Sequence, residues 1–134
     1  MPFNSRYIDL GARVLMATIF ILSGLGKLGA IGPTQTYMAA FGLPPVLVYP
    51  TIAFELGSGL MLVLGLYTRP LAIVLAGFSI VTALIFHTNF GDQMQMINFL
   101  KNLVMAGGFL LLSKDGAPGF SLKLPVTQAN ISNI

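Results

Sequence analysis

The chain has 134 residues, of which 55% are hydrophobic and only 8% charged. A soluble domain carries about 25% charged residues, so this composition excludes a water-covered globule and a disordered chain alike. Seven Lys and Arg against four Asp and Glu leave a net charge of +3, too little basic surface for a nucleic-acid binder, and the absence of cysteine removes disulfides, thiol nucleophiles and iron–sulfur ligation.

Four apolar stretches follow one another along the chain. Each approaches the ~20 residues that a helix rising 1.5 Å per residue needs to cross ~30 Å of hydrocarbon. The first covers residues 8–28, with Arg13 in its interior and Lys27 at its end. It is long for a signal-peptide core and lacks an A-x-A-like cleavage site, so it reads as a retained helix. Residues 29–45 form the longest connection; within it, 34–41 is expected to be a short interfacial helix capped by Thr34. The second stretch, 46–67, contains Glu55. Thr68-Arg69-Pro70 reads as a tight link to the third, uncharged stretch, 71–89. Phe90 to Gln93 leads to the fourth, 94–113, which contains Lys101. A polar tail, 114–134, is expected to be loosely ordered.

None of these stretches alternates apolar and polar as a membrane β-strand would. The expected fold is therefore all-α: one integral membrane domain over 1–134, an antiparallel four-helix bundle. Arg6, Arg13, Arg69, Lys114 and Lys123 fall toward one side, and Lys27 with Asp92 toward the other. The positive-inside rule then places both termini in the cytoplasm of a bacterial inner membrane, with the lipid bilayer as the first partner.

A charged residue at a helix centre costs roughly 2.5–3.5 kcal/mol on insertion scales, so such residues face the bundle interior and pair. Each stretch offers one polar or small stripe at helical spacing. On the first it is Arg13, Ala17, Phe20, Gly24 and Lys27; on the second, Thr51, Glu55, Ser58 and Gly59. On the third it is Ala72, Ala76, Ser79, Ala83 and His87; on the fourth, Asn98, Lys101, Asn102 and Met105. Glu55, His87, Lys101, Asn98, Asn102 and Lys27 fall mostly in the outer half, where they would line a polar pocket for the head of an amphiphile, such as a quinone.

Each residue also has a plainer role. Glu55 and Lys101 can form a buried structural ion pair. Arg13 can pair with Asp9 one turn earlier, or reach Glu55. Lys27 can snorkel to the outer headgroups, and His87 can be a satisfied interfacial histidine. Met94, Met96 and Met105 suit packing. One histidine and no cysteine do not make a transition-metal site.

Several segments resemble the DoxX family of small bacterial membrane proteins, and within it the YqjF-like inner-membrane branch. They are Arg13, Ser23-Gly24-Leu25-Gly26-Lys27, Tyr37 through Pro44, Glu55-Leu56-Gly57-Ser58-Gly59, Leu64-Gly65-Leu66-Tyr67-Thr68-Arg69, Phe86-His87, Lys101-Asn102-Leu103, Gly107-Gly108 and Gly119-Phe120-Ser121-Leu122. Lys123 stands where the family commonly has an acidic residue. The resemblance implies a four-helix membrane protein, largely of unassigned function, some of whose relatives serve in quinone-linked or oxidative-stress redox assemblies. It carries over Arg13, Lys27, Glu55, His87, Lys101 and Asn102 as a polar set.

Three functions are consistent with this sequence. The first is a membrane subunit linked to quinone or oxidative-stress redox chemistry, with no intrinsic cofactor and with a redox partner protein. The second is a binding or transport module for a small amphiphile or lipid, which would require a homo-oligomer for transport. The third is a structural assembly subunit whose polar groups fix helix register.

Overall fold

A computed structural model describes residues 3–118 and 121, and every regular element among them is helical. In chain order these are α1 (Phe3–Leu28), α2 (Ile31–Ala40), a 3-10 turn (Pro45–Leu47), α3 (Val48–Leu64), α4 (Thr68–Phe86) and α5 (Gln93–Asp115). Four segments have the length and apolarity to cross a membrane: Ser5–Leu28, Pro45–Leu64, Thr68–Phe86 and Gln93–Asp115. This is the all-helical, four-span architecture expected from hydropathy. Most of the expected polar tail lies outside the described residues.

Prolines account for most of the shifted helix starts. Pro33, Pro50 and Pro70 are each the third residue of their helices. A first-turn residue has no intrahelical acceptor for its N–H, so proline costs little there. The short helix therefore begins at Ile31, and Thr34 does not cap it. Instead Thr34 Oγ1 donates to the carbonyl of Ala30, the N-cap residue, at 2.7 Å. Likewise, Thr68-Arg69-Pro70 is the first turn of α4 rather than a link. The reversal happens one step earlier, at Gly65 (φ 76°) and Tyr67 (φ 50°). At its other end α4 stops at Phe86, and His87 is its C-cap.

The described residues divide into two compact units, one up to Leu64 together with Ser121 and one from Gly65 to Pro118. In the first, α1 packs on α3. The pairing is antiparallel: Gly24 faces Leu56, Gly59 faces Ile21 and Ala17, and Arg13 reaches Leu62. Helix α2 and the 3-10 turn lean on the start of α3, where Met38, Val48 and Ile52 gather Ile31, Leu43 and Leu56 around them. In the second unit, α4 packs antiparallel on α5, with His87 beside Gln95 at one end and Arg69 on Lys114 at the other. Helix α5 is properly capped: Asp92 Oδ1 accepts from the Met94 N–H at 2.9 Å.

Candidate functional site

The expected stripe on α1 is its packed face. Arg13, Ala17, Phe20 and Gly24 are buried, and Lys27 is half-buried. On α3, Glu55, Ser58 and Gly59 are buried on the facing side. Two glycines bring the helices together. A Cβ on Gly24 would stand 2.7 Å from Leu56 Cγ, and one on Gly59 would stand 2.5 Å from Ile21 Cγ1 and 3.3 Å from the Ala17 carbonyl oxygen. This is the close approach that small residues permit between membrane helices.

A charged group stands at each end of this contact. At one end Arg13 is 0% exposed. Its Nη1 donates to the carbonyls of Leu62 and Val63 at 2.9 and 3.0 Å. Its Nε and Nη2 donate to Asp9 Oδ2 at 3.3 and 3.1 Å. The pairing with Asp9 is thus one that forms, and Nη1 binds the last turn of α3. A guanidinium suits this place because it is always charged and offers five N–H groups in a planar fork.

At the other end, Lys27 Nζ lies 2.7 Å from Glu55 Oε1 and donates to Ser23 Oγ at 2.7 Å. The carboxylate side chain is 4% exposed and the lysine 28%. The contact with Oε1 is an ion pair whose angle falls outside hydrogen-bond geometry. One expectation is corrected here, the outward snorkelling of Lys27. Glu55 takes Lys27, within its own unit, as its cation. Lys27 turns back along α1 instead of snorkelling outward. Both follow from helix geometry, since the Cα–Cβ bonds of a helix tilt toward its N-terminus. That tilt aims Lys27 back one turn, at Ser23 and the level of Glu55. Ser23 was not singled out as a site residue, but its spacing of four from Lys27 was the available signal.

In the second unit, His87 Nδ1 lies 2.8 Å from Gln95 Oε1, so the ring is held across the α4–α5 connection. Ala72, Ala76, Ser79 and Ala83 are buried on α4 as expected, and Asn98 and Asn102 are half-buried on α5. Lys101 is exposed, because the buried face of α5 is centred on Ala106, Phe109 and Leu112. Among the described residues no three His, Asp or Glu side chains gather where a metal ion could be held.

Residues 8–88 match the DoxX family, a span that includes both charged contacts of the first unit. The chain belongs to the DoxX family. It is 42% identical over 113 residues to the inner membrane protein YqjF of Escherichia coli K12, covering 84% of this chain and 87% of that one. It is 37% identical over 133 residues to the inner membrane protein YphA of the same organism, covering 87% of this chain and 95% of that one. No solved structure matches it. With four apolar spans and these relatives, this DoxX-family chain is a multi-pass inner-membrane protein in contact with lipid. Glu55 then lies within the membrane. It is the eleventh residue of the span that starts at Pro45, about 15 Å from that end at 1.5 Å per residue.

Proposed function

We propose that this DoxX-family protein is the membrane subunit of a quinone-linked redox system, with the Lys27–Glu55 pair receiving the polar head of the quinone. One observation carries the proposal: a carboxylate 4% exposed, midway along an apolar span, is paired with an ammonium that is still 28% exposed. Ionisable groups at that depth are expensive and mark functional sites by default.

The residues present suit such a ligand. The Lys27 ammonium has three N–H donors, of which Ser23 uses one, and a quinone carbonyl accepts from another. Glu55 supplies a hydrogen-bond acceptor beside it. The quinone supplies two-electron, two-proton chemistry when bound. With no cysteine in the chain, the electrons are assigned to a partner protein, and oxidative-stress defence is a natural setting for such an assembly.

A structural reading is favoured by one fact: Lys27 already balances Glu55. In that case the pair fixes helix register and binds nothing. A site for another amphiphile or lipid, including one working in a homo-oligomer, would use the same two groups.

Mass spectrometry on the protein in native-lipid nanodiscs separates these readings. A quinone retained by the wild type and lost from Glu55→Gln and Lys27→Met supports the redox subunit. A different amphiphile, lost from the same variants, replaces it with the binding module. Bulk phospholipid unchanged by either substitution leaves the structural reading.

A further inference from the structure

The Gly65-Leu66-Tyr67-Thr68-Arg69 motif plays no part in the Lys27–Glu55 site. It turns the chain from α3 into α4 and leaves several hydrogen-bonding groups unused. Helix α4 begins without a side-chain cap, because its N-cap is Tyr67 in the left-handed conformation. Its leading N–H groups, of which Pro70 supplies none, therefore face outward with the positive end of the helix dipole.

Thr68 is the first residue of this helix and is 2% exposed, yet its Oγ1 has no hydrogen-bond partner. Other hydroxyls in these helices turn back on a preceding carbonyl: Thr18 on Val14 at 2.8 Å, Thr51 on Leu47 at 2.7 Å and Ser79 on Leu75 at 2.9 Å. At Thr68 the preceding residues form the turn, so that outlet is closed. The tilt of a helical Cα–Cβ bond directs the Thr68 side chain toward the helix N-terminus, the end whose leading N–H groups have no side-chain cap. An unsatisfied buried hydroxyl costs about 1–3 kcal/mol.

Arg69 follows directly. It is half-exposed, and its Nε and Nη2 donate to the Lys114 carbonyl at the end of α5. Two of its five N–H groups are used there, and three remain. Gly116 lets it lie close. A Cβ at that residue would stand 2.9 Å from Arg69 Cγ, and its φ of +69° independently favours glycine. Lys114 adds a second positive charge, against which the exposed Asp115 is the neighbouring negative one.

We infer that the first turn of α4 is an anion site, built from Thr68 Oγ1, the uncapped N–H groups and the Arg69 guanidinium, and that its ligand is a phosphate group. Helix N-termini with an arginine fork are suited to tetrahedral oxyanions. The phosphate belongs either to an anionic lipid headgroup or to a free phosphate. The site is independent of the quinone proposal.

The test uses the full-length protein. Native mass spectrometry after reconstitution in mixed phosphatidylglycerol and phosphatidylcholine nanodiscs reads the lipid arm. Calorimetric titration of delipidated protein with inorganic phosphate reads the free-anion arm. Thr68→Ser should bind as the wild type does, and Thr68→Val about tenfold more weakly, the loss of one charge-assisted hydrogen bond. Selective retention of phosphatidylglycerol with no response to phosphate identifies the lipid headgroup, and a Thr68-dependent response to phosphate identifies the free anion. Binding in neither arm, or binding equal in wild type and Thr68→Val, overturns the site. Should Thr68→Val not fold, Arg69→Lys gives the decision, since it keeps the charge and removes the fork. Weakened binding upholds the site and unchanged binding overturns it.

Discussion

Lys27 and Glu55 stand 2.7 Å apart although one is the penultimate residue of its span and the other is near the middle of its own. The antiparallel register of α1 on α3 and the backward tilt of a helical side chain close that difference together. The pair is unequal, because Glu55 is almost fully enclosed and Lys27 keeps an exposed edge. Removing each partner should therefore have a different cost. Lys27→Met leaves an enclosed carboxylate without its cation and should destabilise the protein by about 3 kcal/mol. Glu55→Gln leaves a half-buried ammonium still bonded to Ser23 and should cost about 1 kcal/mol. Replacing both by apolar residues should fall within about 1 kcal/mol of wild type. Equilibrium unfolding in detergent micelles gives the order, and equal costs for the two single variants would contradict the asymmetry.

Much of this contact is readable in the sequence. The spacing of Arg13, Ala17, Phe20, Gly24 and Lys27 marks the face that α1 buries, and Glu55, Ser58 and Gly59 mark that of α3. The choice of partner is not readable. A stripe says which residues face inward, but not which cation meets which carboxylate, since that depends on register and on the direction of each side chain. Lys101 shows the limit of spacing. It lies three residues from Asn98 and one from Asn102, yet sits at the edge of the face that Ala106, Phe109 and Leu112 define, and is exposed. Helix starts are hidden for a separate reason. Pro33 and Pro70 look like boundaries, but each occupies a first turn that tolerates it.

Gly24 and Gly59 fix how closely α1 and α3 approach. Gly59→Ala would push a methyl against Ile21 and the Ala17 carbonyl, and backbone cannot give way as a side-chain tip can. It should destabilise by about 1–3 kcal/mol, the usual cost of overpacking. Gly57→Ala is the control. Nothing lies within 4 Å of its added Cβ, and the gain in helix propensity is up to about 1 kcal/mol. Thermal unfolding of the two variants should move in opposite directions. Ile21→Ala in the Gly59→Ala background should recover part of the loss.

Arg13 satisfies the carbonyls of Leu62 and Val63, which lie in the last turn of α3 where no intrahelical donor remains. Arg13→Lys keeps the charge but cannot span both carbonyls and Asp9 together. It should cost about 2 kcal/mol, near the value of hydrogen bonds to a charged group. Amide exchange should quicken most in the last turn of α3. Uniform exchange along α1 and α3 in that variant would mean that Arg13 acts through charge alone.

Orientation in the membrane follows from charge placement. Arg6, Arg13, Arg69 and Lys114 lie toward the starts of α1 and α4 or the end of α5, and Lys27 alone lies at the end of α1. By the positive-inside rule, a bias of basic residues toward one set of helix ends predicts that those ends lie in the cytoplasm. A phosphatase that is active only outside the cytoplasm should be silent when fused to the C-terminus and active when fused after Asp92, between α4 and α5. A fluorescent protein that folds only inside should give the opposite pattern. Replacing Arg6 and Arg69 by Gln while adding two lysines beside Asp92 removes the bias and should produce a mixed population, visible as partial activity from both reporters. If those four changes left the C-terminal phosphatase fully silent, the buried Arg13 and the packing of α1 on α3 would have to set the orientation rather than the basic residues at the helix ends.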